Sequence, residues 1–227
     1  MKTLTMGLLL LGLATSTFAA SKADLDNRVR SLTAKFEALQ QKPEARVPAD
    51  LLKKAQGVVL LDRTKAGFIF AFQGGGGIAL VREGKGDKWG PAAFFNATEA
   101  SVGLQIGGQQ SFIVILLMNT NATHRLTESA FEFSGEARGT AGDASAGQEG
   151  KFSGQSDAML VYVDRKGLYG GAAIKGGNLA PDGEANRVYY GQFVTAKDIL
   201  FDKKVKPGDS MTELGKKLNE HSKETKK

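Results

Sequence analysis

Cysteine is absent from all 227 residues. That removes disulfides, a thiolate nucleophile and any cysteine-built metal site, so stability has to come from core burial. Histidine is almost absent as well, with only His124 and His221. His124 falls in a short polar stretch of helical character and His221 in the lysine-rich C-terminal segment, so a Ser-His-Asp triad or a histidine metal cluster lacks a well-placed imidazole. No run of about 20 apolar residues occurs, so no spanning helix is expected. There is no G-x-x-x-x-G-K-[ST] loop and no G-x-G-x-x-G that opens a helix, the two common backbone cradles for nucleotide phosphates. No cofactor, nucleotide or metal is expected from these motifs.

What is present points to a globular chain rich in strands. Hydrophobic residues make up 41% and charged residues 24% of the sequence, enough for a real core and too apolar for wholesale disorder. The 29 glycines are scattered without a fixed period, as in a β-rich protein with many tight corners. Residues 1–20 read as an export signal: Lys2, an apolar stretch over 6–14, and Thr17-Phe18-Ala19 ahead of cleavage near Ala19 or Ala20. The expectation is a periplasmic or secreted protein. The net charge of +6 is unevenly spread. Residues 43–202 hold 16 basic and 17 acidic residues, while 21–42 hold 5 against 3 and 203–227 hold 8 against 4. A nearly neutral body with basic ends lacks the dense basic face of a nucleic-acid binder.

Four units follow from the pattern: the signal (1–20), an amphipathic helix (21–42), a domain body (43–202) and a basic C-terminal helix and tail (203–227). In the second unit Leu25, Val29, Leu32, Phe36 and Leu39 recur at intervals of three and four, one apolar stripe of an α-helix flanked by Arg28, Arg30 and Lys35. Such a stripe serves equally to pack on the body or to lie on a membrane surface. A short helix with Pro48 in its first turn and Gly57 as its stop carries Lys53 and Lys54. From Gly57 the period changes to that of strands: "GVVLLDR", "FIFAF", "IALVR", "SVGLQIG", "AMLVYVD", "LYGGAAIKGG" and "VYYGQF", with "SFIVILLM" as a central strand buried on both faces. The Gly-, Ala- and Ser-rich segment 135–154 reads as small-residue strands or a loop, with strands the preferred reading. A short helix begins near Asn121, and a capping box from Ser210 to Glu213 opens the last helix, over 211–222. Gly74 to Gly77 lead into Ile78-Ala79-Leu80-Val81, which is strand chemistry, so the glycines are expected to supply a turn or bulge with positive φ and close backbone approach. Asp182, Glu184 and Asn186 alternate like half a calcium loop but lack its glycine and distal glutamate, and a turn between strands is the better reading.

The order of these motifs resembles the SYLF domain family, also known as the Las17-binding, actin-regulating domain, which has many exported bacterial members. The likeness runs through "AQGVVLLDRTKAGFIFAFQGGGGIALVR", "WGPAAFFNATEASVGLQIGGQQ" and "KGLYGGAAIKGGNLAPDGEANRVYYG". Trp89-Gly90-Pro91, Asn186 and Tyr189-Tyr190-Gly191 are its firmest points, and the family's Gly-Pro-x-Gly step stands here as Gly147-Gln148-Glu149-Gly150, without the proline. The resemblance implies no enzymatic activity. It implies binding of phosphoinositide membranes, partly through an amphipathic helix near the N-terminus, and in some members binding of actin, which an exported protein would not meet. The resulting expectation is an α+β fold, a strongly twisted, mainly antiparallel sheet (barrel- or sandwich-like) flanked by N- and C-terminal helices. Its expected role is peripheral attachment to anionic phospholipid surfaces: Leu25, Val29, Leu32, Phe36 and Leu39 insert, and Arg28, Arg30, Lys35, Lys53 and Lys54 meet head groups. The other reading is a periplasmic structural or apolar-ligand-carrying domain in which the first helix only packs.

Overall fold

The apolar segments of the body become strands because each finds a partner for its backbone donors and acceptors. A computed structural model describes residues 20–43, 45–67, 70–84, 86–102, 107–135, 159–166 and 174–223. The expected signal over 1–20, apart from Ala20, and most of the 135–154 segment lie outside the described residues. Seven strands, Gly57–Gly67 (β1), Phe70–Val81 (β2), Ala93–Val102 (β3), Gly107–Leu117 (β4), Phe131–Gly135 (β5), Met159–Lys166 (β6) and Ile174–Pro181 (β7), form one sheet. Its order is β5-β7-β3-β2-β1-β4-β6 and every described pairing is antiparallel. The sheet stays open, with β5 and β6 at its edges, so the α+β expectation holds without the barrel closure.

Both faces of the sheet are covered, which explains why β1 and β4 read as continuous apolar runs rather than alternating ones. Val58, Leu60, Val114 and Leu116 point to one core; Val59, Leu61, Ile113 and Ile115 point to the other. The first core is roofed by helices Lys22–Gln40 (α1), Ala49–Lys54 (α2), Gly183–Tyr190 (α4) and Asp209–Lys223 (α6). The second lies beneath Thr120–His124 (α3), the 3-10 turn Arg125–Thr127 and Ala196–Leu200 (α5), with Leu126, Phe131, Ile199 and Leu200 filling it.

Several expectations change against this frame. "VYYGQF" is not a strand. Asp182 caps α4 by accepting from the Ala185 N–H, and Gly191 (φ 69°) ends it in the left-handed conformation, so caps at both ends override the strand preference of Val188, Tyr189 and Tyr190. Residues 182–186 are therefore a helix start rather than a turn between strands. "SVGLQIG" is not one strand but carries the end of β3 and the start of β4. The last helix begins at Asp209, and Ser210 donates its hydroxyl to Asp26 of α1 instead of capping. Pro48 is the N-cap of α2, which ends before Gly57. The short helix at 120–124 forms as expected, capped by Asn119.

The glycine run is also corrected. Gly74 to Gly77 lie inside β2, paired to β1 on one side and β3 on the other. Among described glycines only Gly84 and Gly191 have positive φ. What the run needs is the missing side chain. A Cβ on Gly75 would stand 2.3 Å from the Asp62 carbonyl oxygen, and one on Gly77 would stand 2.5 Å from that of Leu60. Both strands are intact only because nothing is there.

Candidate functional site

Ser21 and Asp24 close a capping box at the head of α1, which fixes where its stripe begins. From there Leu25, Val29, Leu32, Phe36 and Leu39 run along the underside, each at most 2% exposed, against Leu60, Ile78, Phe94 and Val114. Of the two roles open to the stripe, packing is the one this fold uses. Covering five such side chains contributes on the order of 1.5–3 kcal/mol each. An inserted stripe would have to leave the core first.

The basic residues expected to meet head groups divide into two groups. Arg30 is paired with Asp26, Nη2 to Oδ2 3.0 Å. Lys35 pairs with Asp62 of β1, and Lys42, seven residues on, pairs with Asp164 of β6 at 2.6 Å. Arg28, seven residues before Lys35, lays its guanidinium over Gly76, where a Cβ would come within 3.1 Å of Nη1. Lys35 and Lys42 fasten α1 and the residues just after it to the sheet, and Arg28 packs its guanidinium over β2. Lys53 and Lys54 instead stand exposed in the last turn of α2, with no ion pair among the described residues.

Helix α6 lies beside α1 and runs the same way. Asp26 accepts from Ser210 near their starts, Phe36 meets the His221 ring edge-on at 5.6 Å near their ends, and Lys217 reaches Glu37 at 3.1 Å. His221 is thus a core residue and not a tail residue. The hydroxyl of Ser210, with Arg30, holds the Asp26 carboxyl below its ordinary range. Arg82 ties α2 and α6 to the sheet: it donates to the carbonyls of Ala55 and Leu52 at the end of α2, and its guanidinium lies 4.2 Å from the Trp89 ring. Trp89 donates to Asn219 of α6 at 3.0 Å. The most specific sequence motif is therefore a clamp.

Asn186, Tyr189 and Tyr190 are structural in the same sense. Asn186 is fully buried and behaves like an extra strand residue, accepting from the Phe94 N–H at 2.8 Å and donating to its carbonyl at 3.2 Å. Tyr190 donates to the Ala92 carbonyl at 2.6 Å, and burial raises its pKa.

The two basic termini, far apart in sequence, meet in this layer. Residues 20–56 carry eight basic and five acidic side chains and residues 203–227 carry eight and four, a net +7 for the two together. Residues 57–202 carry 13 basic and 15 acidic, a net −2. At the end of the layer where α1 and α6 begin, an open pocket of about 390 Å³ has Tyr189 and Tyr190 in its wall and Lys22, Lys203, Lys204 and Lys206 around it. The reading of 203–227 as a basic C-terminal helix and tail does not contain this pocket. The signal for it was the Lys203-Lys204-Val205-Lys206 run following an aromatic pair, but only the fold brings Lys22 to the same place. Among the described residues no cluster of His, Asp and Glu is arranged to hold a metal, and no helix is long and apolar enough to cross a membrane.

Comparison with known proteins agrees with this picture of a family fold. The family model described as "Ysc84: Las17-binding protein actin regulator" matches residues 98–221. The chain is 32% identical over 161 residues to SH3 domain-containing YSC84-like protein 1 of Mus musculus, covering 70% of this chain and 47% of that one. The Bos taurus protein of the same name is 30% identical over 170 residues, 74% and 50% of the two chains. LAS seventeen-binding protein 3 of Saccharomyces cerevisiae is 30% identical over 158 residues, 68% of this chain and 34% of that one. This chain thus spans about half the length of the mammalian relatives and a third of the yeast one. No solved structure matches.

Proposed function

Because the chain belongs to the Ysc84 family of Las17-binding, actin-regulator proteins, we propose that it is a non-catalytic module that attaches peripherally to anionic phospholipid surfaces. The observation that carries this reading is the gathering of both basic termini into one helical layer of net +7 over a body of net −2. Each lysine or arginine close to an anionic surface contributes about 1 kcal/mol. Lys22, Lys53, Lys54, Lys203 and Lys206 are the exposed lysines available for that attraction, having no ion pair among the described residues.

The apolar stripe takes no part. Undocking α1 would expose five core side chains, each worth about 1.5–3 kcal/mol, and leave Asp62 and Asp164 without their lysines. The buried stripe also suits a structural or ligand-carrying domain, but the pocket at the head of α1 sets four lysines beside Tyr189, Tyr190 and Val205, which suits an anionic ligand better than a purely apolar one. Export to a periplasmic or extracellular location remains part of the proposal, resting on the N-terminal sequence pattern.

Vesicle flotation tests it. The protein should float with vesicles containing phosphatidylglycerol and not with pure phosphatidylcholine. Raising the salt from 0.1 to 1 M shortens the screening length from about 10 to about 3 Å and should abolish binding. Equal binding to both vesicle types, or binding that resists salt, would mean that charge is not the driving force.

A further inference from the structure

Phe193 is the single large hydrophobic side chain exposed among the described residues, at 90%. It stands in the turn that follows α4, one residue from Gln192, which lines the lysine-rimmed pocket. An apolar ring held in water beside a basic concavity suits a surface that is both apolar and anionic. From this juxtaposition we propose that the protein docks end-on, with Phe193 entering the acyl boundary of a bilayer while the adjacent pocket takes the phosphate of an anionic phospholipid head group. The inference rests on the lipid-surface reading above and names the part of the molecule that makes the contact.

The charges around the pocket support that occupant. Lys204 is already held by Asp198 at 2.6 Å and adds little net charge. Lys22 lies over the Tyr189 ring, 5.7 Å from its centroid, and Lys203 and Lys206 have no ion pair among the described residues. Of the acids beside the tyrosine wall, Asp26 spends its carboxylate on Ser210, Arg30 and the Tyr189 hydroxyl, and Asp209, at the start of α6, offsets part of the lysine charge. Lys22, Lys203 and Lys206 thus line one concavity with no ion pair among the described residues, which suits the anionic oxygens of a phosphate. Lys203 adopts φ 54°, uncommon for a residue with a side chain, so the loop is bent to bring consecutive lysines to the rim. Arg187, bound bidentately to Glu184, stands 5.7 Å from the Phe193 ring and, like Lys204, adds little net charge. Lys53 and Lys54 are at the far end of the layer, where α2 meets the end of α6 through Arg82 and Asn219. End-on docking leaves them off the surface.

Flotation with vesicles of phosphatidylcholine and phosphatidylglycerol separates the possibilities. Phe193→Ser should weaken binding roughly tenfold or more, since a ring that leaves water in the complex no longer does so. Lys203→Gln with Lys206→Gln should weaken it several-fold, and Lys53→Gln with Lys54→Gln distinctly less, with unchanged melting temperatures in all three because these side chains are exposed. Phe193→Trp should become blue-shifted on binding and be quenched by brominated acyl chains, while the buried Trp89 of the unmodified protein should not. Unmodified protein that floats while Phe193→Ser floats equally well would overturn end-on docking and leave the broader reading standing. Failure of the unmodified protein to float would overturn both. Saturable binding of inorganic phosphate that needs Lys203 and Lys206, with vesicle binding indifferent to them, would make the pocket a free-anion site and sink the lipid assignment.

Discussion

Three adjacent glycines of β2 should respond to the same substitution in two different ways. Alanine at Gly75 would place its Cβ 2.3 Å from the Asp62 carbonyl oxygen and 3.0 Å from the Arg63 Cα; at Gly77 the corresponding contacts are 2.5 Å to the Leu60 oxygen and 3.2 Å to the Leu61 Cα. Both collide with backbone, so β1 and β2 must move apart along a ladder that runs from Gly57 to Ala66. Overpacking of this kind costs about 1–3 kcal/mol, and backbone contacts belong at the upper end. Alanine at Gly76 meets only the Arg28 guanidinium, at 3.1 and 3.2 Å, and a long side chain can slide a few tenths of an ångström. Replacing glycine by alanine also removes unfolded-state freedom worth about 0.4–1 kcal/mol, which offsets most of that smaller strain. In a chain of this length about 1 kcal/mol corresponds to 2–4 °C of melting temperature. Gly75→Ala and Gly77→Ala should therefore each lower it by roughly 6–12 °C, and Gly76→Ala by at most about 4 °C. Adding Arg28→Ala to Gly76→Ala should recover none of the loss if the guanidinium already yields. Thermal unfolding followed by circular dichroism decides the matter. A Gly76→Ala loss as large as that of Gly75→Ala would show that the run is constrained by something other than β1.

Phe36→Asp should unfold most of the protein: deleting the ring costs about 3–5 kcal/mol, and a buried carboxylate adds a desolvation penalty to a total stability of about 5–15 kcal/mol. An unchanged melt for that variant would return α1 to the membrane. Asn186→Ala should cost about 1–3 kcal/mol in denaturant titration, since it strands the buried N–H of Phe94, whose carbonyl keeps the Asp182 N–H. Asp26 has its folded pKa below the ordinary 3.8, so the stability it contributes is present above 3.8 and is lost as pH falls through the folded value. Asp26→Asn should therefore make stability less dependent on pH on the acid side of 3.8, measured as unfolding midpoints from neutral pH downward. A variant whose acid limb is as steep as that of the unmodified protein would refute the assignment.

The parts of the fold that were legible in the sequence are those whose local pattern and tertiary environment agree. The helix of Leu25, Val29, Leu32, Phe36 and Leu39 is found at 22–40, and β4 is buried on both faces, because in each case one period meets one continuous core. The partner of the stripe was not legible, since a sheet and a lipid surface demand the same spacing. Val188-Tyr189-Tyr190 has strand propensity, yet a single aspartate cap and a left-handed glycine make it helical. The four glycines read as a corner because two apolar runs flank them. Their actual constraint, carbonyls of β1 in the space of two absent side chains, exists only once the strands are paired.

The same logic separates the candidate site from the motifs that identify the family. Trp89, Asn186 and Tyr190 are spent on internal hydrogen bonds, to Asn219, Phe94 and Ala92. Residues so engaged fix the position of α4 and α6; Trp89 and Asn186 have no face left for a partner, while Tyr190 also forms part of the pocket wall. What α4 and α6 then hold outward is the turn with Phe193 and the run Lys203-Lys204-Val205-Lys206, neither of which belongs to the recognised motifs. A substitution at Phe193 should therefore leave the melt untouched and change only what the protein binds, whereas one at Asn186 should change the melt first. Relatives that keep the clamp residues while varying Phe193 and the lysine run would share this fold and differ in the surface they recognise.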